Sequence, residues 1–299
     1  RAKIIYVGAA NDARGLDQAL NEVVDKHLAD VVSNSWGMPE RYASKGEIHA
    51  LNSVFQQAQA QGMGIFFASG DDGDNAAATG HVTAGFPDSS PLVTSVGGTS
   101  LAIGASGQRL WETGWGTTEQ TWNGAQWTGG FPGDFLYGAG GGASQVYAKP
   151  SYQDEIVPGE MRSEPDVSLV ADPQTGVLFT QTYSKPNGGT EQKESWIGGT
   201  SLAAPLMAGI ATLADQAAGR PHGFLNPSLY GLYGSDAFND VTPSDGTLAV
   251  LRHRLLPDGT VATLLRSLDR DSSLGTAPGW DDVTGLGTPR ADQLVDALR

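Results

Sequence analysis

The stretch that decides the fold is Gly198-Gly199-Thr200-Ser201-Leu202-Ala203-Ala204-Pro205, in which a hydroxyl side chain precedes a run of small and apolar residues. The paired glycines allow a tight turn before Ser201, and the residues that follow predict a largely buried helix. Pro205 is tolerated in the first turn of a helix, so it predicts that the helix begins close to Ser201. Because the N-terminus of a helix favours negative charge, Ser201 is a candidate nucleophile, with an ordinary helix cap as the alternative.

The composition fits one large α/β domain and argues against two classes of partner. The 299 residues are 39% hydrophobic, which is enough for a substantial core. The formal net charge of −15 argues against nucleic acid and against anionic membranes as partners. There is no apolar run long enough to span a membrane, and without cysteine there are no disulfides.

Strands and helices alternate along the first part of the chain. The apolar patterns predict, in order, strand 3–9, helix 16–28, strand 31–36, helix 44–60 and strand 64–68. This alternation predicts an α/β fold with a doubly wound, mostly parallel sheet flanked by helices. The later segments are a strand over 92–96 with a turn at Gly97-Gly98, hairpins and loops over 104–145, and a return to the sheet around 176–182. We expect a single domain spanning residues 1–299.

The nucleophile segment resembles that of the subtilisin-like serine peptidases, whose base is a histidine in a His-Gly-Thr segment. None of the histidines of this chain stands in such a segment, and we expect all five to be solvated or structural: His27, His49, His81, His222 and His253. The sequence therefore supplies no evident histidine base for Ser201.

A second motif, Ala68-Ser69-Gly70-Asp71-Asp72-Gly73, directly follows the strand over 64–68. Such a segment alone is usually a turn, but the carboxyl ends of parallel strands are where sites are built. An aspartate donates a hydrogen bond only when it is protonated. Together with Ser201, this motif resembles the sedolisins, the serine-carboxyl peptidases, in which an aspartate occupies the oxyanion site and activity is acidic.

The resemblance to the sedolisins extends over nearly the whole chain. The matching segments are Asn34–Gly37, Phe86-Pro87, Ser89–Pro91, Val96–Leu101, Gly140–Ser144, Arg162, Pro165–Ser168 and Ala171-Asp172-Pro173. The resemblance implies that Ser201 is the nucleophile and that Asp71, rather than Asp72, is the oxyanion-hole carboxyl, helped by the backbone N–H of Ser201. It also implies that an extended substrate peptide is bound, as an added strand, by the backbone of Ser35, Trp36 and Gly37.

The base of the sedolisins is a glutamate, held by an aspartate four residues further on, on a helix that precedes the strand matched by residues 3–8. Leu16-Asp17-Gln18 resembles the end of that pattern, but Ala13 stands in the position of the glutamate. Glu22 and Asp25 are better explained as a solvated helix face. A carboxylate can still accept a proton near about pH 4, where a histidine is charged. We therefore expect the large fragment of a sedolisin-type peptidase, without its N-terminal part and propeptide.

Two loops, Phe238–Thr242 and Ala277–Gly285, resemble the calcium-binding loops of the same family, and Asp-capped turns are the alternative. Calcium prefers hard oxygen ligands, including backbone carbonyls. The resemblance implies one Ca²⁺ ion, held by the carboxylates of Asp240 and Asp281 and the carbonyls of Val241, Ala277 and Gly279.

Residues 243–274, between these two loops, form a longer connection than the resemblance leads us to expect. Apolar runs at Val250–Leu256 and Val261–Leu268 flank Pro257-Asp258-Gly259, which is typical of a turn. The pattern predicts an inserted hairpin.

The sequence thus predicts a secreted, acid-active, calcium-stabilised endopeptidase that acts on a peptide or protein substrate. A cleaved N-terminal fragment or propeptide of the same protein is a further expected partner. Two other functions stay open. One is a catalytically inactive peptide-binding fragment of the same fold, and the other is an ordinary subtilisin-like peptidase that uses one of the histidines.

Overall fold

The computed structural model describes residues 2–299. Its helices are α1 Ala13–Asp25, α2 Lys45–Ala60, α3 Ala76–Thr79, α4 Thr200–Ala218, α5 Asn226–Gly231 and α6 Ala291–Ala297. Its strands are β1 Val31–Asn34, β2 Met38–Pro39, β3 Gly64–Ala68, β4 Gly85–Phe86, β5 Thr94–Ile103, β6 Arg109–Gly114, β7 Gly116–Thr121, β8 Asp134–Gly138, β9 Gly142–Ala148, β10 Met161–Glu164, β11 Val167–Val170, β12 Val177–Ser184, β13 Thr190–Ile197, β14 Phe238–Asn239, β15 Ala249–Leu255, β16 Val261–Ser267 and β17 Thr288–Pro289.

A parallel sheet in the strand order β1-β3-β5-β11 forms the centre of the fold, and β6 runs antiparallel to β5. The first four residues of β3, from Gly64 to Phe67, are buried, as expected for a strand that is covered on both faces. The register of β1 on β3 runs from Val31 opposite Gly64 to Asn34 opposite Phe67. The predicted mostly parallel sheet is confirmed.

Neighbouring side chains of β3 point to opposite faces of the sheet, and each enters a separate apolar core. On one face, Phe67 packs with Phe55 of α2 and Val24 of α1. On the other face, Phe66 packs with Met207 of α4. Helix α4 lies against all four parallel strands, so its N-terminus is held at the edge of the sheet where the loops after β1 and β3 emerge.

Two predicted strands are wrong. Residues 3–9 are irregular, and the side chains of Ile4 and Tyr6 are 92% and 93% exposed. An apolar pattern becomes a buried strand only where another layer covers it, and within residues 2–299 nothing covers these two side chains. Residues 176–182 contribute to the exposed hairpin β12–β13 rather than to the central sheet, which β11 completes instead.

The predicted turn at Gly97-Gly98 is also wrong, because both residues lie within β5. A Cβ atom at Gly98 would come within 2.5 Å of the Cβ of Ala171 and 2.9 Å of the ring of Trp115. The glycines therefore permit close packing in the middle of a strand rather than a change of chain direction.

The inserted hairpin is confirmed as β15 and β16, which pair from Ala249 opposite Ser267 to Leu255 opposite Val261. Strand β16 also pairs with β7, so the insertion joins β7 and β8 in a four-stranded sheet in the order β15-β16-β7-β8. None of the helices within residues 2–299 has the length and apolar composition needed to span a bilayer.

Candidate active site

Ser201 is the second residue of α4, which begins at Thr200 after a positive-φ glycine. The first N–H groups of a helix have no partner within the helix, so the N–H of Ser201 is available to a ligand. Pro205 lies one turn further into the helix than the sequence predicts. Because proline has no N–H, the carbonyl of Ser201 lacks its helical donor, and the hydroxyl of Ser35 lies 3.5 Å from that oxygen.

The carboxylate of Asp71 is held beside Ser201 by Thr200, the residue that precedes Ser201 in the chain. Oδ1 of Asp71 accepts hydrogen bonds from the backbone N–H of Thr200 at 2.7 Å and from its hydroxyl at 2.9 Å. Oδ2 accepts no hydrogen bond from any residue in the range 2–299. A proton on this carboxyl group would therefore reside on Oδ2, the oxygen that is free to donate. Sequence reasoning missed the role of Thr200, although its place between the glycines and Ser201 marked it.

The loop that carries Asp71 is also tied to a second segment of the chain. The carbonyl oxygen of Asp71 accepts a hydrogen bond from the N–H of Gly138 at 3.0 Å, and the N–H of Gly73 donates to the carbonyl of Gly138 at 3.1 Å. The N–H of Gly140 donates to the carbonyl of Gly70 at 2.9 Å. The backbone of this loop is thus held on one side by the end of β8.

Ser201 and Asp71 lie in a cleft with an empty volume of about 680 Å³. The same cleft is lined by all three residues predicted to bind substrate, Ser35, Trp36 and Gly37. The Trp36 ring packs edge-on against Phe67 at a centroid distance of 5.1 Å, which anchors this part of the lining to the core. The structure therefore brings together the five residues that were predicted to catalyse and to bind substrate; their roles stay predictions.

No histidine of residues 2–299 lines the cleft. His222 is hydrogen-bonded to Asp215 at 2.7 Å and to the carbonyl of Leu298, near the end of α4 that is remote from Ser201. His253 contacts Thr263 in the inserted hairpin. The hydroxyl of Ser201 has no hydrogen-bonded base among the described residues, and no histidine of residues 2–299 is placed beside it.

Sequence reasoning missed a buried cluster of carboxyl groups beneath the cleft. Asp88 lines the cleft next to Glu164, which accepts hydrogen bonds from the N–H of Gly85 and the hydroxyl of Ser95. Burial raises the pKa of Asp88 to about 6 and raises the pKa of Glu164 well above its ordinary value. Two carboxyl groups in contact need a proton between them, so this pair holds a proton under acidic conditions.

Two charged side chains adjoin this pair without neutralising it. Glu40 accepts hydrogen bonds from Ser89 and Ser144 at 2.8 and 2.6 Å. Arg162, fully buried, forms an ion pair with Asp166 at 2.7 Å. The positive charge of Arg162 is therefore balanced by Asp166. The negative charge of Asp88 and Glu164 is limited instead by the proton that the two share.

The two predicted calcium loops meet in the structure. Both carboxylate oxygens of Asp240 accept from the N–H of Gly279, at 3.2 and 3.1 Å. The carboxylate of Asp281 is bound within its own loop, by the N–H groups of Ala277, Val283 and Thr284 and by the Thr284 hydroxyl. Within residues 2–299, no three acidic or histidine side chains cluster closely enough to hold a metal ion by themselves. The donor types and their location fit a calcium ion, provided that Asp240 turns away from the N–H of Gly279 and backbone carbonyls complete the set.

Comparison with known proteins identifies the family to which this chain belongs. Residues 1–228 match the Subtilase family. Kumamolisin of Bacillus sp. (strain MN-32) is 33% identical over 99% of this chain and 48% of its own length. Human tripeptidyl-peptidase 1 is 31% identical over 91% of this chain and 43% of its own length. The structure of Pseudomonas sedolisin, a serine-carboxyl proteinase complexed with pseudo-iodotyrostatin, superimposes with a TM-score of 0.73 at 28% identity, over 97% of this chain and 70% of that one.

The central parallel sheet, the serine at the start of α4 and the extent of these matches define the class of protein: the chain belongs to the subtilase family. Within that class it is a member of the sedolisins, as its matches to kumamolisin and to Pseudomonas sedolisin show. The chain spans about half the length of the curated relatives it matches.

Proposed function

We propose that the protein is an acid-active serine-carboxyl endopeptidase, with Ser201 as the nucleophile and Asp71 in the oxyanion hole. The observation that carries this proposal is the pair of hydrogen bonds from Thr200 to Oδ1 of Asp71. Because both go to Oδ1, Oδ2 is left without a hydrogen bond, beside Ser201. A protonated Oδ2 and the N–H of Ser201 supply two donors for one oxyanion. A carboxyl group keeps its proton only in acid, which gives the acidic activity a physical reason.

In the proposed reaction, Ser201 Oγ attacks the carbonyl carbon of the scissile peptide bond and loses its proton to a base. The carbonyl oxygen becomes an oxyanion that accepts hydrogen bonds from Asp71 and from the N–H of Ser201. The C–N bond breaks as the amine takes a proton from the base, and water then hydrolyses the acyl-enzyme. No residue in the range 2–299 is hydrogen-bonded to Ser201 Oγ. We therefore propose that the base is a carboxylate from outside these residues, namely a glutamate held by an aspartate.

The proposed substrate is an extended peptide that adds a strand along Ser35, Trp36 and Gly37. These residues follow β1 and line the same cleft as Asp71 and Ser201. Free backbone groups at such an edge bind main chain of any sequence, so this mode suits a peptidase that acts on many proteins. A cleaved N-terminal segment or propeptide is a proposed partner in the same groove.

The test is hydrolysis of a denatured protein by the full-length protein, from about pH 3 to about pH 8. We expect an acidic optimum that disappears in Ser201→Ala and persists in His222→Ala. An optimum near neutrality, lost on changing a histidine, would overturn the proposal. Binding of denatured protein without hydrolysis at any pH would instead support the catalytically inactive peptide-binding function.

We propose that the protein is secreted and works in an acidic medium. The buried pair of Asp88 and Glu164 supports this, since a shared proton suits acid better than neutral surroundings. Cell fractionation is the direct measurement. Recovery of the full-length protein in the cytoplasmic fraction, and none in the medium, would contradict secretion.

We also propose that one calcium ion binds between the loops of Asp240 and Asp281. Addition of calcium at about 100 times its dissociation constant is expected to raise Tm by about 5 °C, because a ligand that binds only the folded state stabilises it. Asp240→Asn should abolish the rise. Asp240 is the better probe, since Asp281 also holds its own loop by four hydrogen bonds. The exposed Asp236→Asn is the matched control, and a Tm unchanged by calcium or by a chelator would contradict the site.

A further inference from the structure

The segment that closes the long connection 243–274 lies against the loop of Asp71. We name this segment, Asp271-Ser272-Ser273, the brace. It follows β16, whose pairing with β7 carries the chain from the inserted hairpin to the active-site edge of the molecule. The N–H of Arg270, just before the brace, donates to the carbonyl of Gly116 at 2.9 Å and fixes where it begins.

The contacts between the brace and the Asp71 loop converge on Asp74. The hydroxyl of Ser272 accepts from the N–H of Asp74 at 3.3 Å. Oδ2 of Asp74 accepts from the hydroxyl of Ser273 at 2.6 Å and from its N–H at 3.2 Å. Oδ1 of Asp74 accepts from the N–H of Ala76 at 2.9 Å, so both oxygens of this buried carboxylate are used.

The brace also packs tightly against the backbone of the same loop. A Cβ atom at Gly73 would lie 2.5 Å from Oδ1 of Asp271 and 3.1 Å from the hydroxyl of Ser272. Gly73 has a φ of +56°, and Gly70 has a φ of +107°. A turn with two such glycines has many alternative conformations, so external contacts are needed to hold Asp71 in one of them.

Asp74 remains a good acceptor in acid. Burial alone would raise its pKa, but the hydrogen bonds from Ser273, Ala76 and Ser272 lower the pKa of Asp74 below its ordinary value. Asp74 therefore stays a charged acceptor to lower pH than an ordinary aspartate. The end of β8 also binds the loop of Asp71, so two segments of the chain hold this loop.

We propose that Ser272 and Ser273 are positioning residues of the active site, which hold the carboxyl of Asp71 in place through Asp74. This inference rests on the proposed function and gives the inserted connection a role in it. An oxyanion donor must be placed to within a fraction of an ångström, so a looser loop lowers the rate of the chemical step more than substrate binding.

The test compares Ser272→Ala/Ser273→Ala with Thr260→Ala in the full-length protein. Thr260 is the matched control, because its hydroxyl donates to Asp258 at 2.7 Å within the hairpin turn, away from Asp71. In the double variant we expect kcat to fall about tenfold with KM within about twofold of wild type, and amide exchange of residues 70–76 to become about tenfold faster. Thr260→Ala should change neither quantity, and Ser273→Thr, which keeps a hydroxyl, should retain most of the activity.

Unchanged kcat and unchanged exchange in the double variant would overturn the inference. A rise in KM alone would also overturn it, because that would indicate a substrate contact. If the wild-type protein hydrolyses nothing, the proposed function fails, and the exchange measurement then decides the brace separately: faster exchange of 70–76 supports it and unchanged exchange overturns it.

Discussion

Ser201→Ala in the full-length protein is expected to lower kcat about a millionfold, and Asp71→Ala about a hundredfold to a thousandfold. Removal of the nucleophile ends the acyl-enzyme route altogether. Removal of Asp71 leaves the N–H of Ser201 as the oxyanion donor, so part of the stabilisation persists. KM should change little in either variant, because the oxyanion exists only in the transition state and intermediate. Initial rates on a peptide substrate at acidic pH measure both effects.

The conservative variant Asp71→Asn separates the two properties of this side chain. The amide oxygen can still accept from the N–H and hydroxyl of Thr200, and the amide nitrogen can donate without being protonated. We therefore expect a smaller loss of kcat than in Asp71→Ala and a weaker decline in rate toward neutral pH.

Asp72→Ala is the matched control for these variants, since Asp72 also lines the cleft but accepts no hydrogen bond from Thr200. Its effect on kcat should stay within about threefold. An equal loss in Asp72→Ala, or a loss below tenfold in Asp71→Ala, would mean that the oxyanion carboxyl has been assigned to the wrong residue.

The elements that sequence reasoning located correctly are those whose pattern is local. Helix α2 begins after Ser44, whose hydroxyl and Glu47 form a capping box, and β3 matches its apolar run. The hairpin β15–β16 follows from two apolar runs around a turn. The proximity of Ser201 and Asp71 could also be inferred, because the carboxyl ends of parallel strands meet at one edge of the sheet.

The features that could not be predicted depend on contacts between distant residues. Ser272 and Asp74 are 198 residues apart in the chain, and Glu164 and Gly85 are 79 apart. No periodicity reports such pairings. The prediction of a strand over residues 3–9 was wrong for a related reason, because an apolar run does not identify the layer that would have to cover it. Serines and single carboxyl groups in loops are usually solvated, so the long-range contacts that they make here left no sequence signal.

The free energy of unfolding is expected to fall as the pH rises from about 4 to about 7. Burial raises the pKa of Asp88 to about 6 and that of Asp271 to about 7, and raises the pKa of Glu164 well above its ordinary value. In each case the folded protein binds the proton more tightly than the unfolded chain. The stabilisation is therefore complete below the ordinary carboxyl pKa and is lost as the pH passes through the raised value.

The expected size of this effect is several kcal/mol, because one pKa unit corresponds to about 1.4 kcal/mol and these groups are shifted by more than one. For a chain of this size, Tm should fall by about 10 °C between about pH 4 and about pH 7. Thermal unfolding at fixed ionic strength and fixed calcium concentration measures it. A Tm that is constant or that rises over this range would contradict the assignment of protons to these buried groups.

Asp88→Asn measures how much of the fall in Tm with rising pH is due to the carboxyl pair of Asp88 and Glu164 beneath the cleft. The amide can donate to Glu164 without a shared proton, so Glu164 no longer faces a second carboxyl group. We expect the variant to lose less stability than wild type as the pH rises, and Asp236→Asn, at an exposed site, to follow wild type. Because Asp88 and Gly85 line the cleft, a charged pair at neutral pH would also disturb the lining of the cleft. This disturbance should add to the decline in rate that depends on Asp71, so Asp88→Asn should shift the Tm curve toward neutral pH and reduce the decline in activity only in part.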